Sequence, residues 1–155
     1  METTEFLTHE REAILEAAEV GLARMHARHY ESAASSEVRQ RLETLYDQML
    51  DAVRSRNLGP IVVYAEQVAR ERFNAGYDLS EVQTAFNALE EATWSRVFAE
   101  LRPTQFAEAL GLVSTILGAA KDALARNYVS LATNTHAPSL DLQALFAGTE
   151  GRTRI

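Results

Sequence analysis

The chain has no cysteine. Disulfides, Cys-ligated zinc and thiol catalysis are thereby excluded, and a reducing compartment suits it. Lysine is almost as scarce: Lys121 stands alone, so Schiff-base chemistry would rest on one side chain. Glycine and proline number only 7 and 3 and gather at a few places, the pattern of long helices joined by short turns. The most apolar run, Ala107 to Ala120, is interrupted by Glu108 and falls short of the roughly 20 residues a membrane span needs. The start, Met1-Glu2-Thr3-Thr4-Glu5, is acidic and polar, where a secretory signal is basic and then apolar. These absences predict a cytoplasmic protein that does not associate with membranes. Positive charge is also in deficit, with 22 acidic residues against 15 basic ones and a net charge of −7. Nucleic acid is a poor partner for such a surface, because affinity there comes mainly from neutralising phosphates. Arg24, Arg28, Arg39 and Arg41 are interleaved with acids and read as a mixed-charge solvated face.

What is present is an ordinary apolar fraction, 46%, in a length that suits one domain with a sizeable core. Its spacing predicts an all-α single domain, a bundle of about five helices over residues 1–133, followed by a polar tail over 134–155. The first helix is expected from about Thr8 to Tyr30, with Ile14, Ala18, Leu22 and Met25 at helical spacing. After a small-residue break, Ser35 or Ser36 caps a second helix carrying the heptad-like stripe Val38, Leu42, Leu45, Met49 and Val53. In Asn57-Leu58-Gly59-Pro60, Gly59 is expected to close that helix and Pro60 to open the third. The third runs to a corner at Gly76. The fourth, about Leu79 to Leu101, is capped by Asp78 or Ser80, with Glu81 three residues after Asp78 in a capping-box-like arrangement.

The fifth helix, about Thr104 to Ala132, is apolar nearly all round. Its large stripe is Phe106, Leu110, Val113, Leu117, Leu124, Tyr128 and Leu131; its small stripe includes Ala107, Gly111, Ser114, Gly118 and Ala125. Such a helix is expected either at the centre of the domain or partly covered by a second subunit. Gly111, Ser114, Gly118 and Ala125 are therefore candidates for a dimer and signalling face. A homodimer is the expected state. In the tail, Leu140 to Phe146 could form a short amphipathic helix that docks on a protein partner.

Chemical motifs are sparse. His26 and His29 share one side of the first helix and form the candidate metal or haem site, though no Glu-x-x-His pair accompanies them. Otherwise no cofactor is expected. His9-Glu10-Arg11 lacks the longer setting of a phospho-accepting histidine. The segment Val68 to Trp94 is a helix–turn–helix only loosely, because its second helix offers Glu81, Gln83, Asn87, Glu90 and Glu91, an acidic bias where a DNA reader presents basic or amide groups. Tyr64, Tyr77 and Trp94, together with Arg72, could line a small-molecule pocket beside the Gly76 corner. Arg70 and Arg72 could hold an anion or pair with Glu66 and Glu71. No nucleophile–base set, phosphate-cradling loop or paired-carboxylate pattern is present, so catalysis is not expected.

The run Ala69-Arg70-Glu71-Arg72, then Gly76, Leu79, Ser80, Glu81 and Val82, followed by Phe86, Leu89 and Val97, resembles the N-terminal domain of RsbR-type stressosome proteins of the RsbRD class. It is similar, too, to the input region of PucR-type transcription regulators. The resemblance extends from about Ser36 to Leu131. It implies an all-helical sensory module in bacterial stress signalling that regulates an attached or associated output. In the stressosome proteins that output is a phosphorylatable STAS domain, which binds a switch kinase. The sequence departs from that plan: no βα alternation for a STAS domain follows the fifth helix. An output domain missing from the sequence, or a separate regulatory partner, is the expected recipient of the signal.

Overall fold

The heptad-like stripe of the second expected helix forms the spine of the molecule. Val38, Leu42, Leu45, Met49 and Val53 are all buried, with Tyr46 fully covered between them. A computed structural model of the chain describes residues 2–25 and 35–135. Six helices account for nearly all of these: α1 (Thr3–His9), α2 (Arg11–Arg24), α3 (Ser35–Ser55), α4 (Gly59–Asn74), α5 (Leu79–Glu100) and α6 (Pro103–Thr135). The described residues contain no strand. Helix α3 touches every other helix, α2 lies against α5, and α6 packs along α4 and α5. One continuous core joins all six, from Phe6 and Leu7 through Ile61 and Leu89 to Leu124.

Two expectations need correction, and an alternative left open for the last helix narrows. The first helix is not continuous from Thr8. It begins at Thr3 and breaks at Glu10, whose φ and ψ of −92° and 6° leave helical geometry. The break turns Phe6 and Leu7 into the core. It is held from both sides: Tyr46 donates a 2.5 Å hydrogen bond to the Leu7 carbonyl, and Arg96 Nε donates to Glu10 at 2.7 Å. The expected end of this helix, near Tyr30, lies outside the described residues.

Gly59 does not close α3. Arg56 does, in the left-handed region at φ 58°, with its N–H bonded to the Ala52 carbonyl at 2.9 Å. Gly59 instead opens α4 beside Pro60, and its N–H donates to Asn57 Oδ1 at 3.0 Å.

The central helix is α3, and α6 lies to one side. Val113, Leu117, Ala120 and Leu124 of α6 face the core, whereas Gly111, Thr115, Asp122 and Val129 face solvent. A Cβ added at Gly111 or Gly118 meets nothing within 4 Å, so these glycines do not admit a neighbouring helix of the same chain.

The charged surface is internally paired. Arg39 on α3 reaches both Glu12 oxygens at 2.8 Å, Glu19 at 3.3 Å and Glu43 at 3.1 Å, which ties α2 to α3. The hydrogen bonds to Glu12 and the surrounding acids hold its guanidinium above its ordinary pKa. Arg11 makes a two-point contact with Asp47 across the same helix pair, at 3.0 and 3.1 Å. Mixed-charge pairing, as the sequence implied, describes Arg39; Arg28 lies outside the described residues.

Candidate functional site

The Gly76 corner is a Schellman turn. The Gly76 N–H bonds to the Phe73 carbonyl at 3.1 Å and the Tyr77 N–H to the Arg72 carbonyl at 2.9 Å, while Gly76 takes φ 87°. The next helix starts with a capping box between Asp78 and Glu81, in which the Asp78 N–H donates to Glu81 Oε1 at 2.9 Å. These two devices fix the direction in which the chain leaves α4. They also deliver Tyr77 to a defined place. Its carbonyl accepts from the Tyr128 hydroxyl of α6 at 3.1 Å, and Phe73 meets the Tyr128 ring edge-to-face at 5.7 Å.

The Tyr77 side chain faces two arginines. Arg41 Nη1 lies 2.6 Å from the Tyr77 hydroxyl, and the Arg41 and Arg72 guanidiniums sit 5.5 and 5.9 Å from the ring centroid. Such cation–π contacts favour keeping both charges in place. Both arginines line a cleft of about 530 Å³ between α3 and α4, walled by Gln40, Thr44, Tyr64 and Gln67. At its base is a recess of about 20 Å³, lined by Leu42, Leu45, Val68 and Phe86 together with Arg41, Tyr64 and Arg72. Glu37 pairs with Arg41, and Glu71 with Arg72 at 3.3 Å. Arg72 Nε is buried and has no hydrogen-bond partner among the described residues.

Of the four residues proposed to bind a ligand, the structure brings Tyr64, Arg72 and Tyr77 together and leaves out Trp94. Trp94 is 39% exposed on α5. The register of α5 on α6 is set by the edge-to-face pair Phe98–Phe106 at one end and by Lys121, bonded to Asn87 and Glu90, at the other. It places Trp94 level with the Leu110–Ser114 turn of α6. Trp94 and Phe98 are both exposed on α5, and the neighbouring α6 carries the small stripe Gly111, Ser114, Gly118 and Ala125. Gly111 is exposed, and the other three are partly exposed. Arg70 is exposed and outside the cleft.

Arg41 was missed as a site residue because its acidic neighbours made it look like ordinary surface. The available signal was its position with Thr44 and Gln48 on the polar side of an otherwise apolar-striped helix. His26, His29 and the Leu140–Phe146 segment lie outside the described residues. Among the described residues, no group of three or more His, Cys, Asp or Glu side chains could hold a metal ion, and no helix is long and apolar enough to cross a membrane.

No curated protein and no solved structure matches the chain. A family profile does: the RsbT co-antagonist protein rsbRD N-terminal domain matches residues 10–137. The match takes in the five helices from α2 to α6 in full, including the Gly76 corner, the α3–α4 cleft and the outward stripe of α6. The chain belongs to the RsbRD N-terminal domain family, whose role is that of a stress-response regulatory input domain.

Proposed function

We propose that the chain is a non-catalytic sensory input domain that works in the bacterial cytoplasm as a homodimer joined along α6. The family assignment supports the regulatory part. The observation that carries the dimer is the outward stripe Gly111, Thr115, Gly118, Asp122, Ala125 and Val129, repeating at alternating steps of four and three residues. That is coiled-coil spacing. From Ala107 to Val129 it runs for about 33 Å at the usual helical rise.

The occupant that fits this face is a second copy of α6. An antiparallel crossing centred on Gly118 sets Asp122 level with the partner's Ser114, Ala125 with the partner's Gly111 and Val129 with the partner's Ala107. Each pairing joins a small or apolar residue to another, or an acceptor to a hydroxyl. Trp94 and Phe98 flank the crossing and supply the large apolar area that small residues cannot. The glycines, which each weaken the helix by roughly 1 kcal/mol relative to alanine, then serve close approach.

The regulatory role is tested in the host cell. Removing the gene is expected to change stress-induced transcription, and Gly118→Leu is expected to reproduce that change at normal protein level. A stress response that is the same with and without the gene would contradict the reading.

A further inference from the structure

We propose that the α3–α4 cleft is a binding site for a small organic carboxylate, held by Arg72 and Arg41 and sensed through Tyr77. This deepens the sensory reading, on which only the signalling consequence rests; the binding is measured on its own.

Arg72 is the most enclosed cation of the cleft. Its side chain is 12% exposed, and its ion pair with Glu71 uses Nη1 at 3.3 Å. Glu71 is the adjacent residue in sequence and is itself 56% exposed, so this pair is weak and easily exchanged with water. The Arg72 Nε is buried and has no acceptor among the described residues. A buried charged donor left unsatisfied is costly; a shift of the side chain that brings Nε to the cleft presents the Nε–Nη2 edge, which matches the two oxygens of a carboxylate. Arg41 lines the same cleft, 5.5 Å from the Tyr77 ring centroid, with its charge shared with Glu37, so the cleft holds two Arg–Glu pairs whose carboxylates a ligand would exchange for its own.

The rest of the cleft selects the class. Its walls carry amides and hydroxyls from Gln40, Thr44, Gln48 and Gln67, and the Tyr64 ring, with Val68 leading to the apolar recess. The volume lies within the range of roughly 300–1,000 Å³ usual for small-molecule sites. The recess, at about 20 Å³, takes no more than the tip of an apolar group. A carboxylate with a short aliphatic or single-ring body meets all three conditions. Inorganic phosphate meets only the charge.

The same residue connects this site to α6. Tyr77 faces both arginines with its ring and accepts the Tyr128 hydrogen bond with its carbonyl. A carboxylate drawn onto Arg72 alters the packing around the Tyr77 ring, and the corner passes that change to Tyr128 in the signalling helix.

The test is a titration of the full chain with benzoate, acetate and inorganic phosphate at constant ionic strength, read by the arginine Nε–H resonances in NMR. The Arg72 Nε–H signal is expected to move saturably with benzoate, less with acetate and least with phosphate. Arg72→Lys, which keeps the charge and loses the fork, should weaken benzoate binding about tenfold or more. Arg126→Ala on the far face should leave it unchanged. Tyr77→Leu should retain binding while abolishing the benzoate-induced change in amide exchange around Tyr128. No saturable shift with either carboxylate up to tens of millimolar overturns the site and leaves the family's regulatory role standing. Equal binding of phosphate overturns the carboxylate assignment. Binding without any change at α6 overturns the Tyr77 route.

Discussion

Replacing Gly76 by alanine isolates the conformational part of the corner from its packing. Gly76 holds φ 87°, and a Cβ added there meets no atom within 4 Å. The substitution therefore costs only the left-handed backbone penalty of an L-residue, about 1–2 kcal/mol. The lower entropy of the unfolded alanine chain offsets roughly 0.4–1 kcal/mol of this. The net loss is about 1 kcal/mol, which for a chain of this size lowers Tm by roughly 2–4 °C. Gly76→Asn should lose less, since asparagine enters the left-handed region more readily. Far-UV circular dichroism melts of the three proteins, at equal concentration, measure the series. A loss several times larger would mean that the position is crowded. No loss would mean that the corner does not need a left-handed residue, and the Schellman assignment would fail.

Other expectations concern the surfaces that meet at α3 and α6. Burial raises the Tyr46 hydroxyl pKa well above its ordinary value, so the folded state favours the protonated form. Its contribution is complete below about pH 10 and falls as pH rises beyond that. Tyr46→Phe should cost about 1 kcal/mol at neutral pH through the lost Leu7 bond and should flatten the alkaline decline in urea-unfolding stability; an unchanged decline refutes the assignment. Glu10→Gln removes the charge from the pair with Arg96 and should cost about 1–3 kcal/mol by the same measurement, whereas Asp122→Asn in the exposed pair with Arg126 should change monomer stability by no more than about 0.5 kcal/mol. Gly111→Ala and Gly118→Ala should have opposite effects on two readouts. Each stabilises the dilute, dissociated chain by about 1 kcal/mol of helix propensity, read as a higher melting point, and each weakens self-association in sedimentation equilibrium. Equal effects of one sign on both would show that the face is not an interface.

Much of the fold could be read from the sequence because its signals are local and periodic. The α3 stripe, the Gly76 corner and the Asp78–Glu81 cap each follow from residue spacing within one or two turns, and each is found where it was expected. The break at Glu10 was not legible. It depends on Tyr46 and Arg96, which are 36 and 86 residues away along the chain. The closure of α3 on Arg56 was hidden for a different reason: a glycine three residues later supplied a stronger local signal than a left-handed arginine. The apolar circumference of α6 was visible, but its cause was not. Periodicity reports that a face avoids charge; only the packed structure shows that α3 takes the centre and leaves the small stripe outside. For the cleft, the aromatic and arginine composition of the corner pointed to Tyr64, Arg72 and Tyr77. Arg41 comes from another helix and joins the others only when α3 and α4 pack; its place with Thr44 and Gln48 on the polar side of the α3 stripe does not by itself link it to the corner. Trp94 was grouped with the others as an aromatic that could line a pocket between helices, yet it stands exposed on α5 and outside the cleft.

The oligomeric state decides whether α6 is an interface. Light scattering on the eluting peak of the full chain, at micromolar concentration and moderate salt, should return twice the 17.2 kDa chain mass. Gly118→Leu, which leaves the core untouched, should return the single-chain mass with unchanged helical content. A native chain that elutes at 17.2 kDa throughout that range would contradict the proposal that α6 joins two copies.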